Sequence, residues 1–144
     1  MAVHVLIYPM FAMFLLTAFV LRRMFLSRVR AVREGCLTVG YFATYQGAVE
    51  PEYAVKPARH FSNLFEAPVL FYVACVAAMA AQAVTLPIVV LAWGYVLARL
   101  VHSYVHLGEN RVGQRIKAYF ASWLVLGLLW LALVVTVALR APGA

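Results

Sequence analysis

Four long apolar runs, each able to cross a bilayer as a helix, constrain this 144-residue chain more than any other feature. Roughly 30 Å of hydrocarbon is crossed by about 20 helical residues. The runs fall at about Val5–Leu26, Phe61–Val84, Pro87–Leu107 and Ile116–Leu139. A lipid-spanning barrel would need alternating polarity, and Leu124–Leu139 has none. In lipid each segment must satisfy its own backbone hydrogen bonds, so the runs are read as helices. Composition agrees: 66% of residues are hydrophobic and 12% charged, against about a quarter charged in a soluble domain. A soluble chain this short could not bury so much apolar surface. The expectation is an all-α integral membrane protein, a single four-transmembrane-helix bundle over residues 1–144, with polar connections at about 27–60 and 108–115.

Charge placement gives an orientation. Only His4 precedes the first run, whereas Arg22, Arg23, Arg28, Arg30 and Arg33 follow it. A signal peptide has the reverse order, so the segment is read as a retained span. The first connection with its flanks holds seven basic residues and the third holds Arg111, Arg115 and Lys117. The Gln82–Leu86 turn has none, and the C-terminal tail has only Arg140. Basic connections face the cytoplasm, so both termini are expected on the other side. Basic residues that flank apolar runs point to a membrane surface and anionic ligands, not to nucleic acid. Cys36 lies in a connection and Cys75 in a span, a poor arrangement for a disulfide.

Ionisable residues inside a span are costly, and each is a functional candidate. Arg59, Asn63 and Glu66 are spaced i, i+4, i+7 along the second span, which puts them on one helical face. Arg99, His102 and His106 on the third are spaced i, i+3, i+7, with Tyr95 on the same stripe. The fourth opens with Arg115 and Tyr119 at i, i+4. Glu66 lies about 10 Å in from Arg59 at roughly 1.5 Å per residue, and Arg99 lies at a similar depth. An isolated charge there would cost several kcal/mol, so a buried Glu66–Arg99 ion pair is expected, within one subunit or across two. The structural alternatives are plain: the pair could fix helix register, Asn63 could bond between helices, and the histidines could be packed polar residues. Two histidines without a third ligand at useful spacing make a metal site improbable.

The ordered set resembles a known family. Arg59-His60-Phe61-Ser62-Asn63-Leu64-Phe65-Glu66 resembles the Arg-x-x-x-Asn-x-x-Glu pattern on helix two of the MAPEG family, the membrane-associated proteins of eicosanoid and glutathione metabolism. Ala98-Arg99-Leu100-Val101-His102-Ser103-Tyr104 with Leu107-Gly108 resembles the end of helix three in its prostaglandin E synthase branch. Arg115 and Tyr119 then fall where the family has its catalytic arginine and a nearby tyrosine. Ser62, His106 and Ile116 stand where that branch carries arginine, tyrosine and serine.

The resemblance implies a homotrimer of four-helix subunits that binds glutathione between neighbours near the cytoplasmic face. It implies that Arg115 stabilises the thiolate, with Tyr119 as a secondary donor. Arg59, Asn63, Glu66, Arg99, His102, His106 and a first-connection arginine, Arg28 or Arg30, would hold the tripeptide, whose two carboxylates suit charge-assisted pairs. A thiol with a pKa of about 8.5 is mostly unreactive at neutral pH, and a guanidinium beside it supplies the nucleophile. The implied activity is a glutathione-dependent transferase or peroxidase acting on lipophilic electrophiles that arrive from the bilayer. The alternative is a non-catalytic lipid-binding or scaffold protein of the same fold, since the family contains such a member. A transporter fits less well, because the polar residues cluster at one end. Without an organelle-retention signal, the bacterial inner membrane is the expected location.

Overall fold

The computed structural model describes residues 2–140. Helix α1 covers Ile7–Arg33 and is led in by a 3-10 turn at Val3–Leu6. A short α2, Tyr41–Thr44, follows in the first connection. The second span is two helices, α3 at Glu52–Asn63 and α4 at Ala67–Ala80. Helix α5, Leu86–Leu107, and helix α6, Val112–Ala138, complete an all-α bundle of four membrane-crossing segments.

Several boundaries differ from the expected ones. The first span continues to Arg33, so Arg28 and Arg30 belong to a helix and not to a loop. Charged residues of good helix propensity do not end a helix; Gly35, at φ 72°, does. The second span begins at Glu52, and α3 carries Pro57 within it. Its first turn has Pro51 as cap and an acidic residue, Glu52, both favourable at a helix start. The fourth starts at Val112, four residues before the apolar run.

The break in the second span follows from Pro68. Proline has no N–H to donate to residue i−4 and disfavours helical geometry in the residue before it. It therefore sits in the first turn of α4, with Glu66 as the non-helical cap. Across the break the backbone tightens to i→i−3 bonds, Phe65 N–H to the Ser62 carbonyl at 3.0 Å and Glu66 N–H to the Asn63 carbonyl at 3.4 Å.

The core is built where the four spans meet, from Leu6, Met13 and Val20 of the first span, Phe71 and Cys75 of α4, Ile88 and Tyr95 of α5, and Leu126 and Leu129 of α6. Alanines 67, 74, 78 and 92 are buried among them, and such small residues let membrane helices approach closely. Phe71 and Tyr95 stack at 4.6 Å. Large apolar side chains cover the outside, for example Phe11, Phe14, Leu124 and Leu131, which is the natural surface for lipid. Helices α5 and α6 form a hairpin through Gly108–Arg111. A Cβ on Gly108 would meet the Tyr104 carbonyl at 3.0 Å, and Asn110 takes a left-handed φ of 52°, which asparagine tolerates.

A second, smaller core lies under the first connection, made of Ala31, Leu37, Tyr41 and Ala54. Glu34 clamps this region. It accepts a hydrogen bond from the Tyr53 hydroxyl at 2.6 Å and from Arg30 Nε at 2.7 Å. The Tyr53 bond, then the Arg30 partner, hold its carboxyl below the ordinary glutamate range. A carboxyl held low adds stability above its unfolded pKa of about 4.3 and loses it as pH falls through the folded value. The protection of residues 34–51 against hydrogen exchange, relative to the intrinsic rate at each pH, is therefore expected to fall as the pH drops below the ordinary glutamate range, and Glu34→Gln should show that lower protection at neutral pH. Unchanged exchange in the variant would show that the clamp holds nothing.

Candidate functional site

The C-terminal end of α1, the start of α3, the end of α5 and the start of α6 lie together at one end of the bundle, which carries nearly all of the basic residues. Between α3, α5 and α6 at that end is a cavity of about 300 Å³ lined by Arg59, Asn63, Glu66, His102, His106, Arg115, Ile116 and Tyr119. Seven of the ten residues singled out in the sequence thus share one cavity wall.

Arg99 lies just beneath, fully buried. Its Nη2 donates to Asn63 Oδ1 at 2.7 Å and to the Asn63 carbonyl at 3.3 Å. Asn63 Nδ2 in turn donates to Glu66 Oε2 at 3.0 Å. The expected direct ion pair between Glu66 and Arg99 is therefore not formed within the chain; Asn63 stands between them as a relay. The reason is geometric. Arg99 faces inward from α5, whereas Glu66 is on the exposed break, and an amide alone offers an acceptor to one and a donor to the other. The break in the second span also leaves the Asn63 carbonyl where Arg99 can reach it.

Sequence reasoning quoted His60 but gave it no role. It is fully buried on α3, and its Nε2 lies 2.8 Å from Ser103 Oγ. Ser103 donates its single proton to the Arg99 carbonyl at 2.8 Å, so His60 Nε2 must carry the hydrogen it shares with the serine. The His60 ring lies 5.4 Å from that of His102 and 4.8 Å from that of His106. His60 thus backs the two imidazoles, His102 and His106, that line the cavity. The signal for His60 was in the periodicity: Ala54, Pro57, His60, Leu64 and Ala67 are all buried at helical spacing.

Arg115 is aimed by another residue that the motif did not include. Its Nη1 donates to Asn110 Oδ1 at 2.8 Å, and Asn110 is itself fixed by its N–H to the Val105 carbonyl at 3.0 Å. Tyr119 sits one turn along α6, its ring 5.8 Å from that of His102. Arg28 and Arg30 do not join this cavity within the chain. Arg28 lies over the Phe42 and Tyr45 rings and bonds the Tyr45 hydroxyl at 3.3 Å. Arg30 pairs with Glu34 and lies over Tyr53 at 4.5 Å. Arg28 is thus occupied by the connection and Arg30 by Glu34 and the first turn of α3.

Several buried polar atoms here have no partner among the described residues: Nδ1 of His60, His102 and His106, Nε and Nη1 of Arg99, and the Tyr95 hydroxyl. Buried polar groups are normally paired, so their concentration in one layer beside the cavity marks a place built to receive polar atoms. The cations Arg59, Arg99 and Arg115 set the charge of that place, against the single carboxylate of Glu66. It suits an anion with hydrogen-bonding groups of both kinds.

Fold and site together define a four-helix integral membrane protein with a cationic polar cavity at the basic end of its bundle. The sequence profile of the MAPEG family matches residues 6–135, and the chain belongs to that family. No curated protein and no solved structure matches it.

The relay makes a quantitative prediction. Asn63→Leu removes the side-chain acceptor of a buried guanidinium and is expected to cost about 3 kcal/mol. Arg99→Leu in that background should recover most of the loss, while Glu66→Gln alone should cost less than about 1 kcal/mol. Unfolding in detergent micelles measures all three. A Glu66→Gln loss equal to that of Asn63→Leu would restore the direct ion pair as the stabilising contact.

Proposed function

We propose that the protein is a thiol-dependent enzyme of the MAPEG family, a glutathione transferase or peroxidase that acts on lipophilic electrophiles, with its basic end facing the cytoplasm. The observation that carries this reading is the convergence of Arg59, Asn63, Glu66, His102, His106, Arg115 and Tyr119 on one cavity above Arg99. The residue chemistry fits a tripeptide with two carboxylates and one amine. Arg59 offers a charge-assisted donor to one carboxylate; Arg99, buried just beneath, has Nε and Nη1 without a partner among the described residues and supplies the other donor once a bound ligand opens the wall. Glu66 offers the one anionic partner for an ammonium group.

Glutathione bound there would supply the sulfur nucleophile. Arg115, fixed by Asn110, stabilises negative charge on sulfur and so lowers the thiol pKa toward neutrality. The thiolate then attacks an electrophilic carbon: an S–C bond forms, and the displaced electron pair leaves with the departing group or moves onto a conjugated oxygen. The Tyr119 hydroxyl, on the same cavity wall, donates to that developing charge. The acceptor reaches the site through the lipid-facing side of α6, where Phe120 and Leu124 are exposed.

A cavity of about 300 Å³ is at the small end of the range for ligand sites. It is also open at Arg59 and Glu66, both exposed. This supports a homotrimer in which a neighbouring subunit closes the site and contributes a basic residue from its α1. Arg28 and Arg30, held locally within one chain, are the residues whose release such an assembly would require.

Calorimetry on purified protein in detergent tests the reading. Wild type is expected to bind glutathione, and Arg115→Ala and Glu66→Gln should each weaken binding about tenfold or more, the effect of losing about 1.4 kcal/mol. A folded wild type that binds no thiol would overturn the proposal and favour a lipid-binding or scaffold role.

A further inference from the structure

On the side of α5 away from the polar cavity, a second feature has no part in the thiol site. A slot of about 620 Å³ runs between α1 and α5. Leu15, Leu16 and Phe19 form one wall and Leu100, Tyr104 and Leu107 the other. Its lining is apolar except at the basic end, where Ser103 and Arg23 appear. Arg23 is shared with a smaller cavity of about 230 Å³ that also contains Ser27, Arg30 and Tyr53. Arg23 therefore borders both, the apolar slot on one side and on the other a smaller chamber in which Ser27, Arg30 and Tyr53 sit beside Leu26 and Pro57.

Dimensions and charge say what such a slot takes. From Ala12 to Arg23 is eleven residues of α1, or about 16 Å of rise, half of a hydrocarbon core of roughly 30 Å. The slot thus spans one leaflet, and Arg23 stands at the depth of that leaflet's headgroups. Arg30 is neutralised by Glu34, but Arg23 makes no hydrogen bond or ion pair among the described residues. The serine faces away from the slot's needs, its proton held by the Arg99 carbonyl. One free cation therefore stands at the mouth of an apolar channel, with no acid in either lining except through Arg30. The side chains at the opening, Tyr104 at 83% exposure, Phe19 and Leu15, face outward to where lipid lies.

We propose that this slot is a binding site for an anionic phospholipid, with one acyl chain between α1 and α5 and its phosphate on Arg23. The chamber beyond Arg23 receives the remainder of the headgroup, whose hydroxyls can donate to the Ser27 oxygen, its own proton being held by the Met24 carbonyl at 2.8 Å. The lipid fills the gap between the two helices and ties α1 to the bundle. The site is separate from the cavity that holds Arg115, and its occupancy does not depend on thiol chemistry.

Native mass spectrometry of the purified, delipidated protein, with phosphatidylglycerol and phosphatidylcholine of equal chain length added in competition, tests this. Wild type is expected to retain phosphatidylglycerol by roughly fivefold, the preference that one basic side chain near a headgroup supplies. Arg23→Gln should bring the two lipids to parity. Arg22→Gln, which removes the same charge from the neighbouring position outside the slot, should keep the preference. Ala12→Trp, which fills the apolar end, should lower retention of both lipids while the fold is kept by circular dichroism. Equal retention by wild type, or equal losses in Arg22→Gln and Arg23→Gln, would reduce the site to a general basic belt and overturn the proposal. A change of oligomeric state in Arg23→Gln or Ala12→Trp would assign the slot to a second copy of the chain and overturn it as well.

Discussion

A guanidinium buried among membrane helices cannot lose its proton, and the arrangement around Arg99 is the consequence. Its charge must be met by acceptors inside the bundle, and the chain supplies them from one residue, the side chain and carbonyl of Asn63. That contact joins α3 to α5 at the depth where the second span breaks. The break exists because Pro68 cannot continue the ladder. Register between the second and third spans, the exposure of Glu66 and the floor of the cavity all follow from this one meeting of charge and interrupted backbone.

From that floor the site is built outward toward the basic end. His60, which packs behind His102 and His106, is held by a chain of bonds through Ser103 to the Arg99 carbonyl, so the same arginine residue anchors both its partner amide and this imidazole. Arg115 belongs to a separate piece of structure, the turn that Asn110 shapes between α5 and α6. The cavity thus has a rigid inner face set by buried bonds and an outer face set by a turn. That division suits the proposed chemistry, in which an anion is held at the inner face and a lipophilic partner enters from the side.

The sequence carried the fold clearly because lipid imposes it: apolar runs of sufficient length can only be helices. It carried the face of each helix as well, since i, i+3, i+4 and i+7 spacing put Arg99, His102 and His106 together and Arg59 beside Asn63. What it did not carry were effects of local backbone and of competition among neighbours. Pro68 inside the second apolar run predicts a local kink, but the apolar pattern runs straight through it and does not show that the span divides into two helices. The Glu66–Arg99 pair was inferred from depth alone, and depth is blind to which way a side chain turns at a helix break. The apolar run stops near Leu26, which places Arg28 and Arg30 in the connection; the helix continues to Arg33, where Phe42 and Tyr45 hold the first and Glu34 and Tyr53 the second. Family membership agrees with the helical frame and the ordered polar residues, while the chemistry of the site rests on the geometry around Arg99 and Arg115.

The claim at the centre of this account is that Arg115 stabilises a bound thiolate. Ultraviolet difference spectroscopy reads it directly, since a thiolate absorbs where the neutral thiol does not. Mixing the protein with glutathione at neutral pH is expected to give a saturable thiolate absorbance, lost in Arg115→Gln and largely kept in Arg115→Lys. Saturable glutathione binding with no thiolate signal, or an undiminished signal in Arg115→Gln, would contradict it.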